Sequence, residues 1–236
     1  MSYSLDINNL NFTYQKNTIF SGLSFKTSQP EIIGLLGLNG AGKSTLLKII
    51  AGIVPIDESI TNVSFTEQPS TNPIGFLPER PFFYPELSIL ENIQFAAKIN
   101  GVETDILSQR IKETLLSCQL NEIKNQLAGA ISKGYQQRLG LAMAIAHQPQ
   151  LLLLDEPTDG LDPQQITETR QLISRLAENC TVIISSHRLE EIEKLSHRIL
   201  ILHQGKIVND SCTNNKDNQD SNVADLFERI INGTKK

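Results

Sequence analysis

Gly37-Leu38-Asn39-Gly40-Ala41-Gly42-Lys43-Ser44-Thr45 follows an apolar run at 31–36 and leads into a stretch, 43–51, that reads as a helix. Glycines let consecutive backbone N–H groups curl around phosphate oxygens, and the helix behind them directs its positive end at the same point. The stretch therefore meets the P-loop pattern, with Gly37, Gly42, Lys43 and Ser44 in place and Asn39 and Gly40 within the loop. In that pattern Lys43 reaches the β and γ phosphates of a nucleotide, Ser44 supplies an oxygen to magnesium, and Thr45 bonds the α phosphate. The bland alternative is a glycine turn that binds nothing. A strand before the turn and a helix after it argue against that.

Outward from the loop, strand-like runs are expected over 4–10, 31–36, 75–77, 151–155, 181–186 and 199–203. Several are continuously aliphatic rather than alternating, which suits strands covered on both faces. Helices are expected between them, over 43–51 and 163–177. That alternation implies an α/β fold with a mainly parallel sheet. The segment 81–132 lacks a convincing buried strand and reads as an inserted set of helices over 88–100, 103–118 and 120–127. Residues 209–222 are polar and are expected to form a linker. After it Val223, Leu226, Phe227, Ile230 and Ile231 follow helical spacing and mark an amphipathic closing helix. The expected organisation is one domain over 1–236, with an α/β core at about 1–80 and 133–208, the insertion at about 81–132, and the linker and helix at 209–236.

Bulk properties narrow the class. A chain of 236 residues can bury a substantial core, and 39% hydrophobic with 20% charged residues fits an ordinary globular protein. A net charge of −5 argues against a broad nucleic-acid surface. Cys118, Cys180 and Cys212 are odd in number and lack metal-ligand spacing, which fits a reducing cytosol and no zinc site. The alternation of Tyr3, Leu5 and Ile7 reads as a first strand rather than a signal peptide. No apolar run approaches the roughly 20 residues of a membrane helix, so a membrane role is expected only through a partner.

Leu151-Leu152-Leu153-Leu154-Asp155-Glu156 is a buried strand that ends in two carboxylates. Adjacent side chains on a strand point to opposite faces, so the two acids are expected to do different work. Asp155 is assigned to magnesium through water, and Glu156 to orienting or deprotonating the water that attacks the γ phosphate. Ile131-Ser132-Lys133-Gly134-Tyr135-Gln136-Gln137-Arg138 lies shortly upstream, Ser132 standing 23 residues before Asp155. Ser132 and the Gly134 amide at a helix start can bind an anion, although a serine there also suits plain helix capping.

Five segments now stand in a fixed order: the P-loop, Gly75-Phe76-Leu77-Pro78-Glu79, the segment at 131–138, the acidic strand, and Ser185-Ser186-His187. Together they resemble the ATP-binding subunits of ABC transporters over nearly the whole chain. The segment at 131–138 resembles their signature motif, with Lys133 where glycine is usual and Tyr135 where glutamine is usual. That variant is similar to export-type subunits of multidrug, antibiotic-resistance and gliding-motility transporters.

The resemblance implies a P-loop ATPase core with an antiparallel β portion at its N-terminus and an inserted helical subdomain. It implies ATP and magnesium as cofactors, and a homodimer or heterodimer in which Ser132, Gly134 and Gln136 of one subunit meet the γ phosphate held by the other. Gly160-Leu161-Asp162 then matches the D-loop of the dimer interface, and His187 the switch histidine at the γ phosphate. Tyr14 matches the aromatic that stacks on adenine. Glu79 stands where glutamine is usual and is expected to offer its oxygen to magnesium or water. Phe82, Phe83, Tyr84 and Leu87 fall where the family receives a coupling helix from a separate transmembrane permease, which would hold the chain at the cytoplasmic face of the membrane.

Two rival readings remain. One is an ABC-type ATPase acting on DNA or the ribosome, against which stand the acidic charge and the lack of long coiled coils. The other is a P-loop kinase or GTPase, which leaves the signature segment unexplained.

Overall fold

The computed structural model describes residues 5–27, 30–56, 71–212 and 223–233. In chain order the elements are β1 Leu5–Tyr14, β2 Asn17–Thr27, β3 Ile32–Leu36, α1 Lys43–Ile50, β4 Ile74–Leu77, α2 Ile89–Ile99, α3 Thr104–Ser117, α4 Lys133–Ile145, β5 Leu151–Asp155, α5 Pro163–Leu176, β6 Thr181–Ser186, α6 Leu189–Leu195, β7 Arg198–His203, β8 Lys206–Cys212 and α7 Val223–Gly233. They fall into two compact units, Met1–Glu67 with Ile183–Lys236, and Gln68–Val182.

In the first unit β1 and β2 form the antiparallel portion, running from Leu5 opposite Thr27 to Tyr14 opposite Asn17. Leu5, Ile7, Leu10, Phe20 and Leu23 are its buried face. Strand β2 is absent from the expected strands because its alternation breaks at a bulge. Gly22 takes φ 73°, and the pairing register shifts between Leu10 and Phe12. In the other sheet of this unit β3 runs parallel to β7, and β7 antiparallel to β8. The five residues of β3 are all buried.

Strand β8 corrects the linker expected over 209–222, since its residues 209–212 pair with β7. Gln204 (φ 46°) and Gly205 (φ 75°) make the two-residue hairpin turn that sends the polar chain back along β7. Residues 213–222 of that linker, and Tyr3, lie outside the described residues. The closing helix α7 appears as expected, with Phe227 buried.

In the second unit β4 pairs in parallel with β5, from Ile74 opposite Leu151 to Leu77 opposite Leu154. Helices α2 and α3 match the expected ones to within a residue. Helix α2 opens with a capping box, in which Ser88 Oγ accepts from Glu91 N–H and Glu91 accepts from Ser88 N–H. The Ser88 hydroxyl, which also donates to the Glu91 carboxylate at 2.7 Å, and the Ser88 N–H together hold that carboxyl below its ordinary range.

The helix expected over 120–127 is not formed. A 3-10 turn, Asn121–Ile123, is followed by a turn at 124–126 whose carbonyls serve α2. Ile89 N–H donates to Gln126 O at 3.0 Å and Leu90 N–H to Lys124 O at 2.9 Å. The first N–H groups of a helix have no partner of their own, and this segment satisfies them instead of coiling. Among the described residues no helix is long and apolar enough to cross a membrane.

Candidate nucleotide site

The P-loop lies in the first unit. Gly42, at φ 104°, starts α1, and no side chain caps the helix. A Cβ at Gly42 would stand 2.9 Å from the Phe20 ring, and one at Gly37 would stand 2.7 Å from Leu202 O. The loop therefore needs glycine at both points for space, and at Gly42 for backbone angle as well. Lys43 is buried, and its ammonium donates to Gly37 O at 2.8 Å and Leu38 O at 3.4 Å, which curls the side chain into the loop. Ser44 and Thr45 are half-buried in the first turn, and Asn39 and Gly40 are exposed.

The same unit carries His187 and Tyr14. Gly37 N–H donates to Ser186 O at 3.4 Å, which ties the loop to the residue before His187. Ser186 Oγ accepts from Arg188 N–H at 3.0 Å and donates to the buried Glu191 at 3.2 Å, while Glu191 also pairs with Arg188. His187 is half-buried on this braced turn. Tyr14 is 64% exposed, so its ring offers a free face rather than filling the core.

In the second unit Asp155 is buried at the end of β5, and Glu156 is half-buried at φ 48°. A left-handed backbone at a residue with a long side chain costs roughly 1–3 kcal/mol and is found where a site demands it. Asp159 N–H closes the turn on Glu156 O at 3.1 Å. Gly160 follows at φ 68°, and Asp162 then caps α5 by accepting from Gln165 N–H at 2.9 Å. The Asp162 carboxylate thus has a helix-capping bond within its own chain.

The signature segment packs on that turn. Ser132 precedes α4 with extended backbone but makes no side-chain cap bond, so plain capping does not account for it. Gly134 is buried, and a Cβ there would collide with the Gln165 amide. Gln136 Nε2 donates to Ile131 O at 3.3 Å. Arg138 pairs with Glu168 of α5, donates to Gln119 at 2.8 Å, and lies 5.5 Å from the Tyr135 ring centre. Of the two residues that depart from the usual signature, Tyr135 thus has a partner inside the unit, and the Lys133 ammonium lies beside Gly160.

Glu79 is exposed just beyond β4, and aromatic side chains follow it. Phe82 is 82% exposed and Tyr84 49%, whereas Phe83 is half-buried. Tyr84 meets Phe95 of α2 edge-on at 5.1 Å. Buried Asn92 holds this loop by accepting from Tyr84 N–H at 2.8 Å and donating to Tyr84 O at 3.0 Å and Ser88 O at 2.9 Å. Asn92, Gln137 and Glu191 are positions that motif reading passes over, because their partners lie across the fold or on a neighbouring turn.

The two buried cysteines are chemically quiet. Burial pushes the Cys118 thiol up to about 12 and the Cys180 thiol up to about 11, which leaves both protonated.

Against known proteins, the family model described as ABC transporter matches residues 20–159. The bacitracin transport ATP-binding protein BcrA of Enterococcus faecalis is 36% identical, over 97% of this chain and 72% of that protein. The linearmycin resistance ATP-binding protein LnrL of Bacillus subtilis is 37% identical, over 86% of this chain and 68% of that protein. Among solved structures, an ATP-binding subunit of an ABC transporter superposes with a TM-score of 0.81 at 24% identity, over 96% of this chain and 99% of that one. CbiO1 of Clostridium perfringens, part of the transporter complex cbiONQ, does so with a TM-score of 0.79 at 22% identity, over 98% of this chain and 97% of that one. The fold is that of these ATP-binding subunits, and the chain belongs to the ABC transporter family as one of its ATP-binding, ATP-hydrolysing proteins.

Proposed function

We propose that this chain is the ATPase subunit of an exporter, closing with a second copy of itself around two ATP molecules to drive a separate transmembrane permease. The observation that carries this reading is that two of the helix starts without a side-chain cap, α1 behind the P-loop and α4 behind Ser132, each follow a glycine-bearing motif suited to phosphate. Each presents a phosphate-binding motif, and one chain holds both, so two copies suffice for two complete sites. The permease would hold the chain at the cytoplasmic face of the membrane. Export as the direction is supported by relatives named for bacitracin transport and linearmycin resistance.

Within each site, Tyr14 stacks on adenine; a contact of this kind contributes about 0.5–1.5 kcal/mol. The amides of Gly37, Asn39, Gly40 and Gly42 cradle the phosphates, Lys43 binds the β and γ oxygens, and Thr45 the α phosphate. Ser44 and Asp155 offer a hydroxyl and a carboxylate, with Glu79 nearby in role; this hard oxygen set fits magnesium. Magnesium when bound neutralises charge on the β and γ phosphates. Glu156 accepts the proton of the attacking water, and His187 contacts the γ phosphate. Ser132, Gly134 and Gln136 complete the site from the second copy, with Asp162 at the same interface. The exposed Phe82 and Tyr84, with Phe95, receive the permease.

The direct test is Glu156→Gln. A general base contributes roughly 10²–10⁴-fold, so hydrolysis should fall at least about 100-fold while ATP binding persists. The variant should also accumulate as an ATP-bound dimer in size-exclusion chromatography. Near-normal hydrolysis would remove Glu156 from the mechanism.

A further inference from the structure

We propose that Gln137 is a positioning residue that holds the Glu156–Pro157 turn, joining the signature helix to the general base of the same chain. This rests on the assignment of Glu156 as that base. Gln137 lies on α4, one helical turn after Gly134, and is only 7% exposed. Its Nε2 donates to Pro157 O at 3.0 Å, in a buried bond that spans 20 residues of sequence. Pro157 is the residue after Glu156, so the bond fixes the carbonyl of the residue that follows the left-handed backbone.

That backbone needs support. Left-handed φ is disfavoured for a residue bearing a Cβ and persists only when its surroundings over-determine it. Proline adds no help from within the turn, since it has no N–H to donate. Packing is also incomplete on one side. A cavity of about 20 Å³, lined by Gln137, Pro157, Leu141, Thr169 and Leu172 among others, adjoins the turn. A void of that size takes about one water and supplies no firm contact. The Gln137 amide is thus a directional constraint on the Pro157 carbonyl, and it comes from the signature helix.

The consequence reaches beyond one site. In the closed dimer, α4 senses the phosphate held by the other copy through Ser132 and Gly134, while Glu156 serves the ATP of its own P-loop. A displacement of α4 on closure would be passed by Gln137 to the turn that carries Glu156. Gln137 therefore couples occupancy of one site to competence at the other, and its loss should affect turnover and cooperativity rather than nucleotide affinity.

The test uses Gln137→Met and Gln137→Leu, which keep the bulk and remove the donor. Leu141→Ala, which loosens the same helix through a buried apolar side chain, is the control. Each protein is measured for thermal midpoint, for affinity toward a fluorescent ATP analogue, and for steady-state hydrolysis per binding-competent molecule. Expected for both Gln137 variants are an ATP affinity within about twofold of wild type, a kcat reduced roughly tenfold, and a Hill coefficient moved toward 1. Leu141→Ala should lose thermal stability with its kcat per competent molecule nearly kept. Wild-type kcat and Hill coefficient in the Gln137 variants would overturn the proposal, as would an equal loss of kcat in Leu141→Ala. Failure of the underlying reading is separable, because it would appear as hydrolysis by Glu156→Gln.

Discussion

Lys133 and Gly160 occupy one another's space: the Lys133 ammonium lies where a Cβ on Gly160 would stand. The residue that departs from the usual signature thus reaches to the turn after Glu156. With Gln137 on Pro157 and Gly134 against Gln165 of α5, it ties the signature helix to the turn and to the helix that follows it.

A double-mutant cycle tests that contact. Gly160→Ala places a side chain at φ 68°, which costs roughly 1–2 kcal/mol, and it must also displace Lys133. Lys133→Gly should relieve the second part only. The double variant is therefore expected to be more stable than the sum of the single losses by about 0.5 kcal/mol or more. Additive losses in thermal or denaturant unfolding would mean that the two residues do not press on each other.

Acid should weaken the protein through His147. Its Nε2 donates to Ile74 O at 3.0 Å, its Nδ1 has no hydrogen-bond partner among the described residues, and burial pushes its pKa below the ordinary value. The unfolded chain then binds a proton more readily than the folded one as pH falls through about 6.5. The contribution is full above that pH and is lost progressively below it. Melting curves from pH 8 to 5 should show a steeper decline for wild type than for His147→Gln. Parallel declines would exclude His147 as the cause.

The exposed aromatic surface sharpens the choice of variant for partner binding. Phe82 and Tyr84 are exposed while Phe83 is half-buried, so Phe82→Ser with Tyr84→Ser probes the surface with least damage to packing. Substitutions at exposed positions usually change stability by no more than about 0.5 kcal/mol. Co-purification with a membrane protein should weaken, with ATP binding nearly unchanged and the melting temperature lowered only by loss of the Tyr84–Phe95 edge contact. Retained co-purification would move the docking site elsewhere, and recovery of ribosomes or DNA-repair proteins instead would overturn the transporter reading.

What could be read in the sequence was set by local physics. The aliphatic β3 and β5, the glycines of the P-loop and the paired carboxylates are written in consecutive residues, and the structure forms those elements where expected. Strand β2 was obscured by the bulge at Gly22, and β8 by its polar alternation after a Gln204–Gly205 turn. The chain at 120–127 has the composition of a helix but is held as a 3-10 turn and irregular turns by bonds to α2, a tertiary demand that overrides propensity. The placements of Gln137 on Pro157 and Lys133 on Gly160 likewise depend on how α4 packs, which no motif records.

The central claim is that each ATP lies between Lys43 of one copy and the signature segment of the other. A side chain at Gly134 would also have to move the Gln165 amide, so Ser132 is the cleaner place to test that site. Ser132 is exposed and its side chain caps nothing, so Ser132→Asp keeps the helix start while directing a carboxylate at the incoming phosphate. Lys43→Ala should lose tight ATP binding, and Ser132→Asp should bind ATP without closing. The measurement is ATP-dependent dimerisation of the two folded variants, alone and mixed, by size-exclusion chromatography. A shared site predicts no dimer from either variant alone and partial recovery in the mixture, where the intact Lys43 of one chain meets the intact Ser132 of the other. No recovery in the mixture would contradict it.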